Sequence, residues 1–174
     1  LTASSAGTTP AVSSSFTINA AAASQLAITT EPGVGTAGSS WAQQPVVEIR
    51  DAYGNLVPSA TNSVAVALTT GTGTLSGTAS VNAVAGVASF SGLSLDLSGS
   101  NKVLTASSGV LTSAVSSSFT INAAAASQLA ITTQPGGGTA GSSWAQQPVV
   151  EIRDAYGNLV PSATNSVTVA LTTG

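Results

Sequence analysis

The chain contains no cysteine, no methionine and no histidine. Without cysteine no disulfide can staple it, and neither a reactive thiol nor a Cys/His zinc site can be assembled. Without histidine its many serines lack the usual imidazole base, so a Ser-His nucleophile is excluded and no enzymatic role is expected. Charge is equally scarce. Three basic and six acidic residues among 174 leave a net charge of −3, which excludes the basic face a nucleic-acid partner requires. No stretch approaches the roughly 18 apolar residues of a spanning helix, so no membrane insertion is expected in this segment. The helix-friendly run Ala123–Ala126 is too short to nucleate alone. The chain has no Asn-x-Ser/Thr sequon, so N-linked glycosylation is not expected.

What fills the chain is alanine, serine and threonine, 81 residues of 174. The hydrophobic fraction is nevertheless 43%, and the aliphatics are patterned, which argues against disorder. The sequence repeats at a spacing of 103 residues: residues 1–71 overlay 104–174 with differences at only seven of 71 positions. They are 6/109, 7/110, 8/111, 10/113, 31/134, 34/137 and 65/168. A fixed period of one domain length is the signature of a tandem array. Leu1 opens where the second copy is already under way, and residues 72–103 occur once. The chain is therefore expected to be part of a longer array. Its expected divisions are 1–22, the last strands of a preceding repeat; 23–125, a complete repeat; and 126–174, the first part of the next.

Within each period the aliphatics alternate. Val64, Val66 and Leu68 share one face, as do Leu26 with Ile28, Val47 with Ile49, and Val115, Ser117, Phe119 and Ile121, mirrored by Val12, Ser14, Phe16 and Ile18. A period of two means a strand with one buried face. Ala65 becomes Thr168 at a position assigned to the outer face, where a β-branched polar residue is tolerated. Gly, Asn and Pro punctuate the intervals at Glu31-Pro32-Gly33, Tyr53-Gly54-Asn55, Gly71-Thr72-Gly73, Ala85-Gly86 and Leu97-Ser98-Gly99. Strands are predicted near 25–29, 44–50, 63–69, 79–84, 87–95, 102–107 and 114–121, with a short extra edge strand in 31–40. About seven short strands per 103-residue repeat predict an all-β chain of tandem immunoglobulin-like β-sandwiches. The linker around Ala123–Ala126 has no Gly, Pro or like-charge cluster, so a stiff succession of domains is expected. Each would add about 30–40 Å, from strands rising ~3.3 Å per residue plus loops.

Several segments carry a family resemblance: S-Q-L-A-I-T-T-x-P (24–32), P-V-V-E-I-R-D-A-Y-G-N-L-V (45–57), V-A-L-T-T-G-T-G-T-L-S-G (66–77), G-V-A-S-F-S-G-L-S-L-D (86–96) and L-T-A-S-S-G (104–109). Together they resemble the bacterial Ig-like tandem repeats of large surface adhesins and extracellular filament proteins, of the invasin and intimin type. The resemblance covers the whole period and implies a stalk or spacer at the cell surface. It transfers no site residues, because such repeats share no active site.

Gly71–Gly77 resembles a phosphate loop superficially but lacks the following lysine and helix, and reads as a hairpin turn. Glu48, Asp51, Asn55 and Asp96 are the calcium candidates. A tight calcium site needs 6–8 oxygens, and the competing reading has Asp51 and Asn55 capping their own turn. Glu31 becomes Gln134, so an ion at that loop would not be common to both copies. Lys102, the only lysine, shares strand parity with Leu104 and Ala106. It is expected to snorkel from the strand end, with burial beside a partner, or an isopeptide bond to an Asn, as alternatives. Trp41 and Trp144 are expected to pack over the core; exposure as stacking platforms for a sugar is the alternative.

The expected function is therefore structural: an extracellular filament or adhesin stalk of near-identical units, with neighbouring copies of the repeat as partners. Strand complementation between units is a possible mode of assembly, testable by what residues 11–18 pair with. The alternative is a cell-surface adhesive module gripping a carbohydrate or protein receptor.

Overall fold

The computed structural model describes residues 1–172. Its strands begin with a small hairpin of β1 (Thr2–Ala3) and β2 (Ala11–Val12). The complete repeat supplies β3 (Ala23–Thr30), β4 (Gly35–Thr36), β5 (Val46–Asp51), β6 (Ser63–Thr70), β7 (Leu75–Ser76), β8 (Ser80–Asn82) and β9 (Val87–Ser89). It closes with β10 (Ser94–Leu95), β11 (Gly99–Ser107), β12 (Ala114–Val115) and β13 (Phe119–Asn122). The second copy contributes β14 (Gln128–Thr133) and β15 (Val149–Arg153). There is no helix among the described residues.

Two sheets face each other across one core. The smaller runs β3-β5-β9, and the larger runs β4-β13-β11-β6-β8 with β12 also on β11. All of these pairings are antiparallel except β13 with β4. The alternation seen in the sequence decides which residues point inward. Val47 and Ile49 of β5, Val64 and Val66 of β6, Leu104 and Ala106 of β11, and Phe119 and Ile121 of β13 are all buried in one cluster. Each large apolar side chain so buried stabilises the fold by about 1.5–3 kcal/mol. The chain is thus an all-β protein in which two facing sheets form a β-sandwich.

Two predicted strands are interrupted. The run 87–95 breaks into β9 and β10, where Gly92 takes a φ of 71°. Leu93 in the gap is served by Gln44 instead of a ladder: its N–H donates to Gln44 Oε1 at 3.0 Å, and Gln44 Nε2 donates to its carbonyl at 3.1 Å. The run 114–121 breaks at Ser116, whose hydroxyl accepts the Leu104 N–H at 3.0 Å and donates to the Ser117 carbonyl at 2.8 Å. The expected edge strand in 31–40 is β4. Within the segment read as a hairpin turn, Leu75 and Ser76 pair with Leu95 and Ser94.

Identical sequence does not adopt one structure throughout the chain. Val115–Asn122 and Val12–Asn19 match residue for residue. Yet Phe119 is 6% exposed and Phe16 61%. Phe119 lies in β13 between β11 and β4, while residues 13–22 form no strand. The β13 position in the complete repeat is thus filled by the repeat's own chain, and residues 11–12 pair only with 2–3. In the second copy β14 and β15 keep the earlier register, Leu129 opposite Ile152 as Leu26 is opposite Ile49. Residues 166–172, which match 63–69 of β6, form no strand; β6 itself is held by β8 and β11.

Candidate functional site at the repeat junction

Glu48 and Arg50 stand two residues apart on the outer face of β5 and pair with each other, Arg50 Nη2 to Glu48 Oε2 at 2.8 Å. Glu151 and Arg153 repeat the pair at 2.7 Å. A half-exposed pair of this kind contributes about 0–1 kcal/mol, and it occupies the Glu48 carboxylate.

Asp51 has the inward parity of Val47 and Ile49 and is fully buried at the end of β5. Its charge is met by N–H donors on every side. Oδ1 accepts the backbone N–H of Tyr53 and of Asn55, both at 2.9 Å. Oδ2 accepts Asn55 Nδ2 at 3.0 Å and the backbone N–H of Ala21 at 2.9 Å. The turn closes over Gly54 at a φ of 87°, a conformation that glycine adopts freely. The Asn55 amide, opposed by burial and helped by the Ala21, Asn55 and Tyr53 amides, holds the Asp51 carboxyl down at about 2.

The second copy repeats this arrangement atom for atom. Asp154 accepts from Tyr156 N at 2.9 Å, Asn158 N at 2.9 Å, Asn158 Nδ2 at 2.9 Å and Ala124 N at 2.8 Å. Burial pushes this carboxyl up, but the Asn158 side chain and the Ala124, Asn158 and Tyr156 amides outweigh it and hold it below the ordinary range. Ala124 belongs to the linker. The linker is further fixed by Ser127 N donating to the Arg153 carbonyl at 2.8 Å and Gln128 Nε2 to the Asp154 carbonyl at 2.6 Å. Asp51 and Asn55 do cap their own turn; the link from that cap to a linker amide 30 residues away had no local signal in the sequence.

Asp96 lies apart from Glu48 and Asp51. Its Oδ1 accepts the Thr74 N–H at 2.6 Å, which holds its carboxyl below the ordinary value. Its main chain meets the next repeat instead. Asn158 Nδ2 donates to the Asp96 carbonyl at 2.9 Å, and Ser98 N donates to Asn158 Oδ1 at 2.9 Å. Tyr156 sits against Gly38, so closely that a side chain at position 38 would overlap its ring. The four calcium candidates therefore fall in three places; the Asp51 and Asp96 carboxylates already accept N–H donors, and Glu48 Oε2 faces a guanidinium. Among the described residues no three Asp, Glu, His or Cys side chains converge as a metal site would require.

Lys102 corrects the sequence expectation. It is 2% exposed and does not snorkel. Its inward parity on β11 is kept, and its stem runs beside Gly71 and Gly99 to bring Nζ to the Thr72 carbonyl, to which it donates. Burial lowers its pKa, and the Asp96 carboxylate opposes that shift. Trp41 is buried, edge-on to Phe119 at 5.0 Å and 61°, and its Nε1 has no partner. Gly35 lies under the indole, where a Cβ would collide with it. An indole so placed offers no platform to a sugar. Trp144 in the second copy is partly exposed. A groove of about 670 Å³ opens between Ile18–Ala20 and Asn55–Ser59, with no titratable side chain on its walls.

No protein-family model matches the chain, and no curated protein matches it. Solved structures similar to it include a glycosyl hydrolase family 2 member from Bacteroides cellulosilyticus, at 18% identity and TM-score 0.47, over 59% of this chain and 15% of that one. A β-glycosidase from Bacteroides vulgatus matches at 19% identity and TM-score 0.45, over 59% and 14%. The surface layer protein SbsC, domains 4–9, matches at 20% identity and TM-score 0.43, over 88% and 23%. Likenesses of this strength assign neither a family nor an activity.

Proposed function

We propose that this chain is a structural segment of a tandem β-sandwich array, of the kind its sequence resembles in bacterial Ig-like repeats, and that the array gives length and stiffness to an extracellular filament or adhesin stalk. The observation that carries the reading is the junction. The alanine linker is held at Ala124 by the buried Asp154 and at Ser127 by the Arg153 carbonyl, leaving little free chain between β13 and β14. The same bond recurs between Ala21 and Asp51. A joint repeated in this way suits a spacer, whose parts are interchangeable.

No catalytic role is part of this reading. The burial of Trp41 weighs against the carbohydrate-gripping alternative. Negative-stain microscopy of the material from its source tests the proposal: beaded rods of uniform spacing support it, and compact isolated particles refute it.

A further inference from the structure

We propose that the Tyr-Gly-Asn of each D-A-Y-G-N turn is a docking element, which seats one repeat on the Asp96–Ser98 turn and Gly38 of the repeat before it. This deepens the tandem-array reading and rests on it. Three observations lead to the assignment.

The first is the geometry of Asn158. Its side chain bridges a carbonyl and an amide of the preceding repeat, Asp96 O and Ser98 N, both at 2.9 Å. A primary amide that donates and accepts across one turn replaces both partners that turn would otherwise take from water. The Asp96 carboxylate, bound to Thr74 N, holds the turn in the shape that presents these two groups.

The second is the fit between Tyr156 and Gly38. Gly38 has a φ of 74°, and its N–H donates to the Leu95 carbonyl at 2.7 Å, so this loop is tied to the strand leading into the Asp96 turn. A bare backbone is what lets the tyrosine ring lie against it. Asn158 and Tyr156 thus address two neighbouring loops at one end of the sandwich.

The third is the comparison between copies. The turn at 51–55 has the same sequence and the same Asp-centred ring, but no repeat is seated on it. Asn55 is exposed where Asn158 is 8% exposed, and Tyr53 is 84% exposed against 47% for Tyr156. The internal bonds of the turn are alike in both copies, so the burial of Asn158 comes from the neighbouring repeat and not from the turn's own folding. The partner of the Tyr53–Asn55 surface is accordingly the equivalent end of another copy of this repeat.

Amide hydrogen exchange on the 174-residue chain tests the contact, with the Ser98 N–H as reporter because it belongs to the earlier repeat. Asn158→Ala is expected to speed Ser98 exchange about five- to tenfold, the factor that one net hydrogen bond supports. Asn55→Ala, which breaks the same ring without a neighbour, is expected to leave Ser98 unchanged. Protection of β15 amides in the same samples shows whether the second copy stays folded. If Asn158→Ala unfolds it, Tyr156→Ala, which spares the Asp154–Asn158 bonds, is expected to speed Ser98 exchange by a smaller factor with β15 intact. Unchanged Ser98 exchange in a variant with β15 protected, or equal acceleration by Asn55→Ala, overturns the assignment. A straight array with a freely exchanging Ser98 amide would remove the docking contact and leave the spacer reading in place. Compact particles with a protected Ser98 would do the reverse.

Discussion

Phe16 and Phe119 share eight residues of identical local sequence, so replacing each by alanine isolates what the sandwich itself contributes. Phe119 is buried in β13 with its ring 5.0 Å from that of Trp41, in a cluster that includes Leu104 and Ile121. Removing it deletes the transfer free energy of a large aromatic and leaves a cavity beside the indole, a loss of about 3–5 kcal/mol. Against a domain stability of about 5–15 kcal/mol this is a large fraction. At about 4–8 °C per kcal/mol for a domain near 100 residues, the thermal midpoint should fall by at least about 12 °C. Phe16 is mostly exposed, and Phe16→Ala should change stability by less than about 0.5 kcal/mol. Urea unfolding followed by tryptophan fluorescence in a Trp144→Phe background makes Trp41 the sole reporter. Equal effects of the two substitutions would show that residues 12–19 are packed like 115–122, and the description of the core would be wrong.

Other outcomes follow from the buried charges. The Asp51 carboxyl sits at about 2 in the fold against an ordinary 3.8. Its contribution to stability is then complete above the ordinary value and is lost as pH falls through about 2, so urea midpoints should decline across that interval. Asp51→Asn should lower the midpoint at neutral pH and flatten this acid limb. For Lys102 the slope has the same sign in a different range: its pKa is lowered from 10.5 by burial, so the unfolded chain binds the extra proton and stability should rise as pH climbs towards 10.5. Lys102→Met, which keeps the volume and removes the charge, should raise the midpoint at neutral pH and abolish that alkaline rise. Because the Glu48, Asp51 and Asp96 carboxylates each already bind a guanidinium or N–H donors, adding millimolar calcium or a chelator should leave the thermal midpoint unchanged in scanning calorimetry.

Much of the sandwich was legible from alternation alone, because a period of two assigns a face to every residue and a core requires one face to be apolar. Val47, Ile49, Val64, Val66 and Leu104 lie where that rule puts them. The rule fails where a strand bends. Nothing near Leu93 announces that Gln44, 49 residues earlier, will substitute for a ladder partner. It fails also where parity and polarity conflict. The parity of Lys102 with Leu104 pointed inward while its charge pointed to water, and parity prevailed because the Thr72 carbonyl was within reach of Nζ. Phe16 and Ile18 show a third limit: alternation marks a face fit for burial, but the partner strands decide whether burial occurs. The junction was half readable. The Asp-x-x-x-Asn spacing gave the turn cap, while the bonds to Ala124 and Asp96 join residues distant in sequence and emerge only from the fold.

The stiffness of the joint can be measured most directly by small-angle X-ray scattering on arrays of increasing repeat number. With linkers clamped as at Ala124, the maximum dimension should grow linearly, by about 30–40 Å for each added repeat. Growth with the square root of repeat number, as flexible tethers produce, would contradict it.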